Sequence, residues 1–368
     1  MARLKRPQAP PLVAVRFVSR LIDLLERLQY RLLPAPAVLL KLTSGGLIVS
    51  RSIYVAAELG IADLLKAGPR STEQLAHATK TDPPTLYRVL RALASVGIFA
   101  ETRPGVFKLT SLADYLRTDK PGSMRAWARY AGADFQQPIW GAMVESVRNG
   151  RSGYENVHGV RFFEWMDAHP EAEQRFDEAM TSLTSITNPL FAVSYDFSGI
   201  GTLMDIAGGR GSLLATILRA NPQLQGILFD LPQVIAGARQ EAALNDPAVA
   251  SRRSFVAGSF FEEIPATADS YMMKWILHDW NDDEVTAILQ NVRQALRPGG
   301  KLLVIEMVIM PGNAPSPGKL LDLAMLTQTG GKERTEAEYR RLFAAAGLDI
   351  ARVIPTASAY SIIESVAQ

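Results

Sequence analysis

Three observations predict an α/β protein, a doubly wound and mostly parallel sheet behind a mainly helical N-terminal region. From residue 199 onward, short apolar runs alternate with helical patterns, the signal of a parallel sheet covered by helices on both faces. Upstream of residue 110 the order is helix, helix, then a hairpin around Pro104-Gly105. Between the two, residues 112–195 read as mostly helical, with Trp127, Trp140, Phe162, Phe163 and Trp165 scattered through them. A chain of 368 residues accommodates two domains and an added tail.

Residues 12–33 carry an amphipathic helical pattern that includes Arg16, Arg20, Arg27 and Arg31, and the charges interrupt it too often for a transmembrane span. Such a stripe is expected to pack on the body or on a second subunit; contact with a membrane surface is the alternative. The apolar stretch 36–50 contains Lys41 and Gly45-Gly46, which argue against a span there as well. Residues 51–69 read as one helix. Ser71-x-x-Gln74 has capping-box form and opens a short helix through His77. Asp82 followed by Pro83 starts the next, which puts Leu86, Leu90 and Leu93 on one face and ends at Gly97. With the hairpin at 98–109, this is the order of a winged helix-turn-helix. Its second helix offers Arg88 and Arg91 without a surrounding basic cluster. Phosphate contacts dominate DNA affinity, so dimerisation or packing is the expected role and no nucleic acid is expected.

Strands are predicted at 202–206, 226–229, 253–257, 271–277 and 301–307, with a closing antiparallel pair at 349–354 and 359–366. Asn281-x-x-Glu284 and Thr335-x-x-Glu338 are expected to cap the helices that follow them.

Composition narrows the chemistry. With 39 basic and 37 acidic residues the formal charge is +2, which gives no reason to expect an acidic partner. The absence of cysteine excludes disulfides, thiolate metal sites and a cysteine nucleophile, and fits a reducing compartment. No signal peptide is evident, and a cytoplasmic location is expected. His77, His158 and His169 are isolated in sequence and no metal-ligand cluster is legible. Asp282, Asp283 and Glu284 read as the charged start of a helix rather than a magnesium site.

The chemistry concentrates between Leu203 and Glu306. Asp205-Ile206-Ala207-Gly208-Gly209-Arg210-Gly211 follows an apolar run and leads into a helix. Glycines there let the backbone turn tightly and approach a ligand closely. Gly209 and Gly211 fit a dinucleotide fingerprint, but its third glycine position holds Leu214, which weakens a pyrophosphate reading. Asp205, inside the strand, suits a cationic or amino-acid-bearing ligand. Asp230, one strand later, is placed to accept ribose hydroxyls, or else to cap the helix that opens at Pro232. His278 sits at the end of a buried strand and is the residue best suited to move a proton near neutral pH.

Asp205–Gly211, Phe229-Asp230-Leu231-Pro232, Phe260-Phe261-Glu262, Lys274-Trp275-x-x-His278-Asp279-Trp280, Arg297-Pro298-Gly299-Gly300 and Gly330-Gly331-Lys332-Glu333-Arg334-Thr335 together resemble the motifs of class I S-adenosylmethionine-dependent O-methyltransferases. The branch is the one that includes caffeate, hydroxyindole, polyketide and phenazine enzymes, and the resemblance covers roughly residues 45–366. It implies a Rossmann-like methyltransferase domain at 196–368 and a winged-helix dimerisation domain at 45–125. A helical linker at 126–195 would contribute to the substrate pocket, and an amphipathic extension would occupy 1–44. It implies that Asp205, Gly208, Gly209 and Gly211 hold the methionine end of S-adenosylmethionine, that Asp230 and Leu231 hold the ribose, and that Ser259, Phe260 and Lys274 lie near the adenine and the cofactor edge. It implies His278 as general base, flanked by Glu306 and Glu333, in a metal-independent homodimer acting on an aromatic hydroxyl. Trp140, Phe163, Met180, Met273, Asp279 and Met325 fall where the family lines its acceptor pocket. Two positions depart from the pattern: Ala207 replaces the usual first glycine, and Ser259 replaces an acid expected near the adenine amino group. The same resemblance admits relatives that keep the cofactor for hydroxylation or decarboxylation, S- or N-methyl transfer, and, more remotely, a cofactor-sensing DNA-binding protein.

Overall fold

The computed structural model describes residues 12–368, so the first eleven residues of the expected extension lie outside it, as do the side chains of Arg16, Arg20 and Arg27. Two compact units emerge, one built mainly from Ala142–Phe163 and Thr187–Gln368, the other from Ser19–Gly141 and Glu164–Ile186. The expected helical segment 126–195 is thus divided between them.

In the second unit the winged-helix order is present. Helix Thr72–Thr79 starts with the Ser71/Gln74 capping box, and helix Pro83–Ser95 starts on Asp82, whose carboxylate accepts from Thr85 N. Strands β1 (Arg70–Ser71), β2 (Phe99–Arg103) and β3 (Val106–Leu109) form a three-stranded sheet in the order β1-β3-β2. Leu86, Leu90 and Leu93 meet Leu75, Phe99 and Phe107 in one core, as their helical and strand spacings dictate. The single helix expected at 51–69 is broken. It ends at Glu58, and Gly60 in the left-handed region (φ 65°) starts a separate turn at Ile61–Leu64. Gly45-Gly46, by contrast, does not interrupt the chain: helix runs on from Ala35 through a π segment at Lys41–Gly45 to Glu58. By length and composition alone this helix could cross a membrane, and Leu39, Leu40, Leu42, Leu47 and Ile48 are exposed along it.

The first unit holds the large sheet. Its strands are β4 (Thr202–Ile206), β5 (Gln225–Asp230), β6 (Arg253–Ala257), β7 (Ser270–Lys274), β8 (Lys301–Ile309), β9 (Arg334–Thr335), β10 (Leu348–Pro355) and β11 (Tyr360–Ala367). They run in the order β10-β11-β8-β7-β4-β5-β6, with β9 pairing β8 off that path. β4, β5, β6, β7 and β8 are parallel, and β11 and β10 close the edge antiparallel. Side chains alternate across the sheet into two cores. Tyr271 and Met273 face one, under helices Asp282–Ala295 and Glu336–Ala345; Leu203 and Met272 face the other, under helix Ser212–Ala220. The strand order reverses beside β4, so the carboxyl ends of β4, β5 and β7 surround a crevice, the usual place for a ligand in this architecture.

β7 stops at Lys274, short of the expected Leu277. Trp275 takes φ 58°, a conformation bulky residues rarely adopt, and turns the chain out of the sheet into a short 3-10 helix at Leu277–Asp279.

Candidate active site

The loop after β4 is held by its neighbour strand. Ala207 N donates to Phe229 O at 2.8 Å and Gly209 N donates to Asp230 Oδ2 at 2.8 Å. Asp230 Oδ1 accepts from Leu231 N at 2.7 Å, and each carboxylate oxygen keeps a lone pair for a further donor. Burial raises Asp230, while those two backbone bonds pull it back. Gly208 has no room for a side chain: a Cβ would come within 2.6 Å of the Asp205 carboxyl and 2.5 Å of Leu228. Gly211 caps the helix that follows, at φ 73°. Ala207 stands at φ 53°, where the left-handed backbone costs a residue with a Cβ about 1–2 kcal/mol. The departure from glycine therefore preserves the expected backbone shape at the expense of strain.

Asp205 is buried and its Oδ2 has no hydrogen-bond partner. Burial pushes its carboxyl up to about 7 against the opposing pull of Lys274. Lys274 is brought down to about 7 by burial, opposed by Asp205 and Glu306. Its Nζ donates to Asn188 Oδ1 at 2.9 Å, and Asn188 Nδ2 donates to Ser212 Oγ at 3.0 Å. Asn188 thus ties the end of β7 to the start of the loop helix. Nothing in its sequence context marked it, because a lone asparagine in a helical stretch has no pattern. An orphaned buried carboxylate, a second carboxylate with spare lone pairs and a close backbone approach fit a ligand with a cationic amino-acid end and a ribose. Ser259 Oγ accepts from Phe261 N at 3.2 Å, and Phe260 packs against the core.

At the end of β7, His278 is 7% exposed, and its Nδ1 lies 2.7 Å from Glu333 Oε1 and 3.4 Å from Glu306 Oε2. With Nδ1 engaged by Glu333, Nε2 is the ring nitrogen left to face a substrate, 3.9 Å from Asp279 Oδ1. Glu306 Oε1 accepts from Ile276 N and Leu277 N, both at 3.0 Å, so this acid also caps the turn that carries the histidine. Burial pulls His278 down, but Glu306, Asp279 and Glu333 outweigh it and push it up to about 10. Burial raises Glu306 to about 7 and Asp279 to about 6, each opposed by His278. His278 thus lies well above the ordinary histidine value of about 6.5. The ligand atoms of His278, Glu306 and Glu333 lie within 4.8 Å of one another, a donor set open to a cation that the separate sequence positions did not reveal.

The residues expected to line an acceptor pocket separate into groups. Phe163 is exposed and its ring stacks on Trp280, 6.0 Å between centroids, while Phe261 meets Trp280 edge-on at 4.7 Å. Met325 is half-buried on helix Pro317–Thr327. Trp140 (exposed) and Met180 (half-buried) belong to the other unit. Met273 is fully buried in the core under helices Asp282–Ala295 and Glu336–Ala345. Strand alternation turns it there, so its expected place on the pocket wall is corrected to core. Trp275 is a further residue of this corner, within the Lys274–Trp280 motif. Its ring lies 4.9 Å from Tyr360 and 4.0 Å from the Lys274 ammonium, and its buried Nε1 has no partner.

Comparison with known proteins identifies the family. Residues 140–349 match the O-methyltransferase domain family and residues 41–119 the O-methyltransferase dimerisation domain family. The chain belongs to the S-adenosylmethionine-dependent O-methyltransferases, and its cofactor is S-adenosylmethionine. Among similar proteins, it is 42% identical to the phenazine O-methyltransferase of Lysobacter antibioticus, across 90% of this chain and 96% of that one. The crystal structure of LaPhzM superposes with a TM-score of 0.85 at 42% identity, covering 91% of this chain and 100% of the other. Human N-acetylserotonin methyltransferase, solved with S-adenosylmethionine, gives a TM-score of 0.82 at 28% identity over 91% of this chain and 98% of that one.

Proposed function

We propose that this enzyme methylates a hydroxyl of an aromatic or polyketide-like small molecule, with His278 as general base. The observation that carries the proposal is the buried imidazole whose Nδ1 is bound by Glu333 while Nε2 stays free. When bound, S-adenosylmethionine supplies a methyl group on a positively charged sulfur, whose charge also favours the neutral imidazole. Asp205, Gly208, Gly209 and Gly211 hold its methionine end, Asp230 and Leu231 its ribose, and Ser259, Phe260 and Lys274 its adenine and outer edge. Within the sheet unit, Phe163, Asp279 and Met325 bound the acceptor.

A phenol has a pKa of about 10, and so does His278 in its carboxylate surroundings, so the proton moves between matched groups at little cost. Glu306 and Glu333 fix the ring orientation and stabilise its protonated form. No step is routed through a metal; a cation at His278, Glu306 and Glu333 would compete with the proton that Nδ1 shares with Glu333. The flat acceptor is supported by the aromatic wall of Phe163 and Trp280 and by the phenazine-modifying relative.

A homodimer built on the winged-helix region is supported by the dimerisation-family match and by the exposed apolar side chains of helix residues 35–58. The domain limits 45–125 and 196–368, and a cytoplasmic location, belong to the same proposal.

Titration calorimetry with S-adenosylmethionine and S-adenosylhomocysteine, followed by a panel of phenols and hydroxylated polycyclic aromatics, tests it. Binding of both cofactors and methylation that is lost in His278→Ala is the expected result. Methylation that survives His278→Ala points to a more acidic acceptor such as a thiol, pKa about 8.5, and contradicts the base assignment.

A further inference from the structure

Among the described residues, Arg334 is the largest fully buried side chain, and its guanidinium spends its donors on the turn that carries His278. Nη1 donates to Leu277 O at 2.9 Å and to Lys332 O at 3.2 Å. Nη2 donates to Trp280 O at 2.8 Å, and Nε to Asp282 Oδ1 at 2.9 Å. Leu277 and Trp280 are the residues on either side of His278-Asp279. The turn has little to hold itself: Asp279 N reaches Ile276 O at 3.1 Å and Trp280 N reaches Leu277 O at 3.4 Å. Gly331 lies against the same peptides, so close that a Cβ would fall 2.0 Å from His278 O.

We propose that Arg334 is a positioning residue for methyl transfer: its planar fork fixes the peptides flanking His278 while the adjacent Glu333 fixes the imidazole. The proposal rests on the assignment of His278 as general base. Glu333 immediately precedes Arg334, the first residue of β9; Glu333 reaches the His278 ring and Arg334 the carbonyls beside it. One short segment therefore holds both the ring and the backbone of the base. A lysine has the charge but not the rigid fork, and cannot span both carbonyls and Asp282.

The test compares Arg334→Met, Arg334→Lys, Arg340→Met and His278→Ala in the full chain. Arg340, a half-exposed arginine of the following helix, is the control: Nη1 donates to Ile350 O at 2.9 Å and Nη2 pairs with Glu336 at 2.6 Å, away from the turn. Thermal stability and S-adenosylmethionine affinity are measured, with kcat, KM and the pH profile of kcat for a phenol that the wild-type enzyme methylates. The titratable groups facing His278 are Asp279, Glu306 and Glu333. Both Arg334 variants are expected to lose about 100-fold in kcat, the scale of a base displaced by an ångström. Their cofactor affinity stays unchanged, and their rising pH limb moves acid-ward as the imidazole leaves its carboxylates. Arg340→Met is expected to lose thermal stability but keep kcat and the pH profile. If Arg334→Met does not fold, Arg334→Lys, which retains the buried charge, carries the comparison. Wild-type kcat and pH profile in the Arg334 variants, with His278→Ala inactive, overturn the positioning role and leave the base assignment intact. An equal loss of kcat in Arg340→Met overturns it too, as general destabilisation. Full activity in His278→Ala removes the base assignment and this role with it.

Discussion

The loop after β4 and the turn after β7 leave neighbouring strands at the same end of the sheet, yet they are built on opposite principles. The loop is a backbone device. Its shape comes from peptide bonds to Phe229 O and from Asp230 accepting Gly209 N, and it absorbs an alanine at φ 53° without losing that shape. The turn is a side-chain device. Glu306 caps it, Glu333 binds its imidazole, and Asp279 lies next along it; burial raises Glu306 and Asp279, while at His278 the carboxylates overcome burial and raise it too. Local backbone strain can be relieved at a single residue. A buried charge network cannot lose one member without leaving another uncompensated.

That contrast is broken most severely at Gly331. Gly331→Ala drives a Cβ into the backbone of His278 and Asp279 and is expected to cost about 100-fold in kcat, read by steady-state methylation, with cofactor binding retained. On the loop side, Asp230→Asn keeps the shape of the side chain but removes the charge that accepts ligand hydroxyls. A loss of about tenfold in S-adenosylmethionine affinity is expected, since a charge-assisted hydrogen bond is worth roughly 1.5–3 kcal/mol, and calorimetry measures it; kcat at saturating cofactor should hold. The smallest effect belongs to Ala207→Gly. Relief of the left-handed strain, set against the greater chain entropy of glycine, predicts a gain of up to about 1 kcal/mol in unfolding free energy, measured by denaturant titration, with kcat unchanged.

The same division decided what the sequence revealed. Strands 202–206 and 253–257, the winged-helix order and the capping boxes at Ser71, Asn281 and Thr335 were legible, because each is set by residues close in the chain. The glycine loop was legible for the same reason. His278, Glu306 and Glu333 are far apart in sequence, and only the family motif suggested that they meet; no spacing rule did. Asn188 left no local trace, and neither did the early end of β7 at Trp275, since both depend on partners supplied by other elements. Met273 had the chemistry of a pocket wall but the strand parity of a core residue. Lys41 and Gly45-Gly46 argued against a membrane span, yet one helix runs through them, because glycine weakens a helix by only about 1 kcal/mol.

The charge network also fixes the sign of a pH dependence. Because the folded value of His278 is raised, its protonated form contributes stability that is complete below about 6.5 and lost as pH climbs through about 10. The free base needed for catalysis appears over that same rise. The most direct measurement is kcat/KM for a phenol that the enzyme methylates, against pH, in the wild-type enzyme and in Glu306→Gln. A limb in the wild type that rises well above the ordinary histidine range, and moves acid-ward when the Glu306 charge is removed, is the predicted result. A wild-type limb near 6.5 that Glu306→Gln leaves in place would show that the buried carboxylates do not govern the base.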